Sequence, residues 1–134
     1  MRNSILTAAT ILLATGGVPA LADMDMDPGA KVYNQYCATC HGASADGRGP
    51  LTELMTNAVP DLTGLSARND GVFPMLEVIH VIDGRTGLRG HGGPMPIYGA
   101  IFDDEVEDSG PYGGPIYTRG KILSLAYYLE SIQK

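Results

Sequence analysis

Cysteine is scarce in this sequence, with two in 134 residues, which leaves room for one disulfide at most. Basic residues are also few: nine Lys and Arg stand against 15 Asp and Glu, a balance that argues against nucleic acid as a partner. Long apolar runs are missing after the first twenty residues, so no later segment reaches the roughly 20 residues needed to span a bilayer. The glycine-rich stretch GASADGRG at 42–49 lacks the G-K-[ST] ending of a phosphate loop and no strand leads into it, so it reads as a turn. A second domain has no room either, because this length with 44% hydrophobic content suits one globular unit.

The first residues stand outside that unit. Arg2 precedes the apolar run ILTAATILLA, and Ala20-Leu21-Ala22 is followed by the polar DMDMD. This is the pattern of a secretory signal cleaved after Ala22, since Gly16, Gly17 and Pro19 interrupt the run well short of a membrane-spanning helix. No cysteine follows the run to accept a lipid. The expectation is a signal at 1–22 and one exported, soluble, periplasmic domain at 23–134, with eight basic against fifteen acidic residues and a formal charge of −7.

Both cysteines fall in YCATCHG, residues 36–42, with a histidine directly after the second. Export makes a disulfide or a redox-active C-x-x-C the plain reading of Cys37 and Cys40, but neither accounts for His41. A thioredoxin-like setting would also place strands around the motif, whereas DPGAKVYNQYCATC reads as a helix. Asp27 can cap it, Pro28 suits the first helical position, and Val32, Tyr33, Tyr36, Cys37 and Cys40 recur at helical spacing. Thiols three apart on a helix share a face and can reach both vinyl groups on one edge of a haem, with the next residue turning its imidazole to the iron. C-x-x-C-H is the attachment signature of c-type haem. A zinc site needs four ligands, and beyond these three the chain offers only scattered His80, His91 and carboxylates.

A haem attached there needs a sixth ligand from far along the chain, and the candidates are His80, His91, Met55, Met75 and Met95. Met95 stands in GHGGPMPIYG, where Pro94 and Pro96 stiffen the backbone and the glycines let it bend closely over a flat surface. FPMLEVIHVIDG reads as a helix starting near Pro74 and stopping at Gly84, which assigns Met75, Leu76, Ile79 and Ile82 to the core and His80 to packing. His91, four residues before Met95, is the rival.

The order VYNQYCATCHG, PDLTGL, PMPIYG and a C-terminal helix resembles the bacterial class I cytochromes c over residues 28–134, although the acidic segment 101–117 matches no motif of that family. The resemblance implies a small all-α fold wrapped on one haem c held by two thioethers from Cys37 and Cys40, with His41 and Met95 on the iron. It implies that the Pro60 carbonyl accepts a hydrogen bond from the free ring nitrogen of His41 and that Leu62 packs on the haem. Pro50, nearer His41 in sequence, competes with Pro60, and GPLTELM between them offers an extra helical turn. The resemblance also places Gly29 and Tyr33 at a crossing with the closing helix KILSLAYYLESI, Leu125 against the Gly29 gap and Tyr128 against Tyr33. The acidic run DDEVED at 103–108 offers a docking patch for a basic partner but reads by default as solvated loop, and SGPYGGP after it promises no packed structure.

Imidazole on one side of the iron and thioether on the other leave no open position for substrate, so the expected role is not enzymatic. It is a single-electron carrier between redox partner proteins with basic surfaces. Two other readings stay open: a gas-binding or catalytic cytochrome with a labile sixth ligand, and the electron-transfer subunit of a larger dehydrogenase or oxidase.

Overall fold

A computed structural model describes residues 27–85, 95–106 and 110–134. The expected signal at 1–22, His91, Pro94, Glu107 and Asp108 lie outside the described residues. Asp27 opens the first helix as its sequence suggests: its carboxylate accepts the Gly29 N–H at 2.7 Å and the Ala30 N–H at 3.3 Å, while Pro28 occupies the first turn, where its missing donor costs nothing. Helix α1 (Pro28–Tyr36) buries Gly29, Ala30, Val32 and Tyr33. The continuous helix expected through Cys40 is two pieces. At Cys37 the backbone widens to φ −112°, and a short α2 (Ala38–His41) follows, closed by Gly42 at φ +83° with its N–H on the Ala38 carbonyl. Residues with a Cβ rarely adopt that left-handed φ, so Gly42 is what lets the chain leave α2 directly after His41.

A 3-10 turn at Pro50–Leu54 packs against α2, the extra helical turn offered by the sequence, and a second such turn spans Ala67–Asn69. Helix α3 (Met75–Asp83) starts after Pro74 and ends at Gly84, as expected. Its buried pair is Val78 and Ile82, one turn apart, with Met75 and Ile79 half-buried beside them. Leu76 is 65% exposed and leaves the predicted core, because it lies two positions from Val78 and so on the far side of the helix.

The largest correction falls on 101–117. Among the described residues, Asp103 and Asp104 end α4 (Tyr98–Asp104), Glu105 and Val106 form a turn, and the glycine- and proline-rich residues expected to be unpacked start the 22-residue α5 (Gly110–Ser131). Tyr98 and Phe102, four apart, give α4 a buried face, and burial of two aromatics outweighs the weak helix preference of its aspartates. Pro115 lies inside α5 and leaves a gap in its hydrogen-bond ladder, yet the helix runs through it because α1, α3 and α4 all pack on it further along.

The α1–α5 crossing sits where it was expected, with one change of partner. A Cβ built on Gly29 would overlap the Ser124 carbonyl and stand 2.7 Å from Tyr128 Cβ, so Ser124 and Tyr128, not Leu125, fill the Gly29 gap. Tyr33 and Tyr128 pack at 5.4 Å between ring centroids. Leu125, 1% exposed, joins Tyr33 and Phe102 as the largest fully buried side chains among the described residues. The described residues are all helix, turn and loop with no strand, an all-α fold. No helix among them is long and apolar enough to cross a membrane.

Candidate functional site

The junction of α1 and α2 puts Cys37 in the interior and α2 puts His41 there, at 7% exposure each, and leaves Cys40 half-buried. The two thiols are not joined to each other. Burial pushes the Cys37 thiol up to about 12, with the neighbouring Cys40 adding to the effect. A disulfide oxidoreductase needs its attacking thiol lowered, so this position is built against the redox-active reading. His41 is pushed below the usual histidine range by burial, against the opposing pull of the Pro60 carbonyl. Its imidazole is therefore neutral near pH 7, the form in which it can give a lone pair to a metal.

The Pro60 carbonyl oxygen lies 3.3 Å from His41 Nδ1, so Nδ1–H donates to it and Nε2 is left with the lone pair. Pro50 opens the 3-10 turn and does not take that place. Two cavities meet at these residues. The larger, ≈ 390 Å³, falls in the roughly 300–1,000 Å³ range of small-molecule sites. Leu62, Leu65, Val78, Ile82, Leu125 and Leu129 give it apolar walls, and Arg68, Asn69 and Glu77 line it as well. The smaller, ≈ 70 Å³, is lined by Tyr36, Cys40, Met55, Pro96 and Tyr98 among others. Cys37, His41, Pro60 and Met95 line both.

Among the described residues the methionine and histidine candidates differ in which cavity they line, while the rival His91 lies outside them. Met95 reaches both cavities, Met55 only the smaller, while Met75 and His80 line neither. Among the described residues no three of His, Cys, Asp and Glu gather closely enough to hold a metal ion, so the zinc reading has no ligand set there. A flat apolar ring carrying an iron suits what is present: two thiols at one edge, a neutral imidazole oriented by a carbonyl, a thioether on the shared wall, and leucines, valine and isoleucine around it.

Aromatic packing fixes the residue before the first thiol. Tyr36 packs edge-on against Phe102 at 5.1 Å and Tyr98 at 5.9 Å, and the Tyr98 hydroxyl donates to the Tyr36 carbonyl at 2.7 Å. Lys121 Nζ lies 4.5 Å from the Tyr36 ring centre and 4.3 Å from that of Phe102, and donates to Glu105 at 2.5 Å. The Tyr36 hydroxyl donates to the same carboxylate. Sequence reasoning missed this group. Tyr98 could have been found, because it belongs to the PMPIYG stretch that carries Met95, but Lys121 and Glu105 carry no local signal of their meeting.

Residues 24–109 match the family described as cytochrome C oxidase, cbb3-type, subunit III. The chain belongs to this family and is a class I c-type cytochrome. It is also 26% identical over 113 residues to "Cytochrome c6, chloroplastic" of Chlamydomonas reinhardtii, a span of 84% of this chain and 68% of that protein. No solved structure matches it. The family implies a covalently bound haem c, and the cytochrome's own residues fit one.

Proposed function

We propose that this cytochrome is an exported carrier of single electrons, with one haem c held by thioethers to Cys37 and Cys40. His41 and Met95 would be the protein's ligands to its iron, Pro60 would orient His41, and Leu62 would line the ring's pocket. One observation carries the reading: the buried imidazole that follows the C-x-x-C pair shares both cavities with Met95 while its Nδ1 faces a backbone carbonyl at 3.3 Å. Bound there, the group supplies a one-electron change between Fe(II) and Fe(III). The chain's residues hold the imidazole neutral and aimed, keep water away with the leucine walls, and leave the electron to arrive from one protein partner and depart to another. The excess of acid suits partners with basic surfaces.

The family description names an oxidase subunit, which supports a second reading in which the same electron transfer takes place within a larger oxidase. Copurification of the mature protein with its partners separates the two.

The test of the main reading is made on protein from a host that matures c-type cytochromes. The denatured wild type retains haem-linked peroxidase activity on a gel, and the double variant Cys37→Ala, Cys40→Ala loses it. Met95→Ala abolishes the weak long-wavelength absorption of an iron–thioether bond and lets the ferrous form bind carbon monoxide. Rapid, tight carbon monoxide binding by the wild type would overturn the carrier reading in favour of a gas-binding one.

A further inference from the structure

The strap from Pro60 to Ser66 holds three parts of the site at once: the carbonyl facing His41, and Leu62 and Leu65 on the wall of the larger cavity. On one side it is fastened by the Leu62 N–H on the Ala45 carbonyl at 2.8 Å and by Arg68 Nη2 on the Asp61 carbonyl at 2.7 Å. On the other the fastening comes from the far end of the chain. Gln133, two residues beyond α5, donates from Nε2 to the Leu62 carbonyl at 2.8 Å and to the Leu129 carbonyl at 2.6 Å, and its Oε1 accepts the Ser66 N–H at 2.9 Å. Beside it the Lys134 N–H donates to the Thr63 carbonyl at 2.9 Å. One primary amide thus uses both donor hydrogens and its acceptor to tie the strap to the end of α5. No other side chain of this length offers two donors and an acceptor on one planar group: a carboxylate only accepts, and an ammonium only donates.

We propose that Gln133 is a positioning residue for the haem site, fastening the strap so that the Pro60 carbonyl stays on His41 Nδ1 and Leu62 and Leu65 stay on the cavity wall. The proposal rests on the His41-ligated haem of the reading above. Gln133 touches neither His41 nor the cavity; it acts through the backbone at Leu62 and Ser66. Freed from that tie, the strap keeps the Leu62 bond to Ala45, the Thr63 bond to Lys134 and the bond from Arg68 Nη2 to the Asp61 carbonyl at 2.7 Å, but loses both bonds at Leu62 and Ser66 that Gln133 supplied, and the Pro60 carbonyl shifts with it. The imidazole then loses the partner that fixes its ring plane and its Nδ1 proton.

The test compares the holoprotein with Gln133→Met, which keeps the stem and removes the amide, and with Gln133→Glu, which can accept from Ser66 but sets a carboxylate against two carbonyls. Ser131→Ala is the control, since Ser131 Oγ bonds the Tyr128 carbonyl, at 2.7 Å, at the same end of α5 and not the strap. In the ferrous state, NMR follows the His41 Nδ1 proton. In both Gln133 variants it exchanges with solvent roughly tenfold faster, the factor that net loss of about one hydrogen bond allows, and its resonance moves upfield; Ser131→Ala changes neither. If a variant fails to fold, Gln133→Asn, an amide with shorter reach, is read by the same two measurements. Unchanged exchange and shift in folded Gln133 variants, with the thermal midpoint falling as in Ser131→Ala, would reduce Gln133 to a helix-end cap and overturn the proposal. A wild type that retains no haem after denaturation overturns instead the reading beneath it, and shows this before any variant is made.

Discussion

At the scale of single residues, Gly29 makes the sharpest claim on the fold. The missing side chain lets the Ser124 carbonyl and Tyr128 Cβ occupy space a methyl group would need, and the obstacle is α5 backbone rather than a flexible tip. Gly29→Ala should therefore force the two helices apart and destabilise the protein by about 1–3 kcal/mol, the usual result of overfilling a packed contact. Denaturant unfolding of the holoprotein, followed by the far-UV helix signal, measures it; a midpoint equal to wild type would mean the crossing is looser than described. The small residue at this position was legible through the resemblance to the class I cytochromes c, which implies a small residue at this place before Cys37. Its partners were legible only to within one residue: Leu125 and Ser124 are neighbours on α5, and which of them faces α1 depends on how α5 is rotated by its other contacts with α3 and α4. Gln133 was not legible at all, since its partners lie 67 and 71 residues away and an amide near a chain end has no pattern to betray it.

At the scale of elements, α1, α4 and α5 are pinned together around one carboxylate. Glu105 receives the Tyr36 hydroxyl of α1 and the Lys121 ammonium of α5, and sits directly after α4. The hydrogen bond from Lys121, followed by that from Tyr36, holds the Glu105 carboxyl below its ordinary value of 4.5. Burial works against the charge on Lys121, but the bonds to Glu105 and Tyr36 outweigh it and raise its pKa above the ordinary 10.5. A lowered carboxyl contributes stability that is present above 4.5 and is lost as pH falls through the folded value; a raised ammonium contributes stability that is present below 10.5 and is lost as pH rises through its own. Between those limits the contribution is flat. Glu105→Gln should lower the thermal midpoint at pH 7, and the gap to wild type should close as pH falls below about 4.5. A gap that persists at acid pH would mean that lost packing, not the charge, was responsible. The same group shows why the acidic run is not simply solvated: Asp103 and Asp104 close α4, and Glu105, in the turn after it, meets a cation and a hydroxyl that only the fold brings to it.

At the scale of the whole molecule, the mature chain would carry a formal charge of −7, and part of the acid that looked available for docking is used internally. Besides Glu105, Asp103 accepts from Thr118 Oγ1 at 3.4 Å. Attraction of the proposed basic partner would then come from the summed field rather than from one run of residues. The association rate with a basic redox partner should fall steeply between 0.01 and 0.1 M salt, as the screening length shrinks from about 30 to about 10 Å, whereas Asp104→Asn alone should change it little. Stopped-flow mixing at several ionic strengths checks both, and a salt-independent rate would remove charge from the account of partner choice.

What could be read without coordinates was everything whose chemistry is local. Two thiols and an imidazole within five residues and a carboxylate before a proline at a helix start were legible at short range, because covalent spacing alone brings the groups together. What only the tertiary structure decided was which distant groups meet. Proline- and glycine-rich residues became the first turns of α5, Pro60 rather than Pro50 came to face His41, Lys121 found Glu105 across three helices, and Gln133 closed on Leu62. Those outcomes depend on burying Tyr33, Phe102 and Leu125 in one core, a requirement summed over the whole chain that no single stretch of it displays.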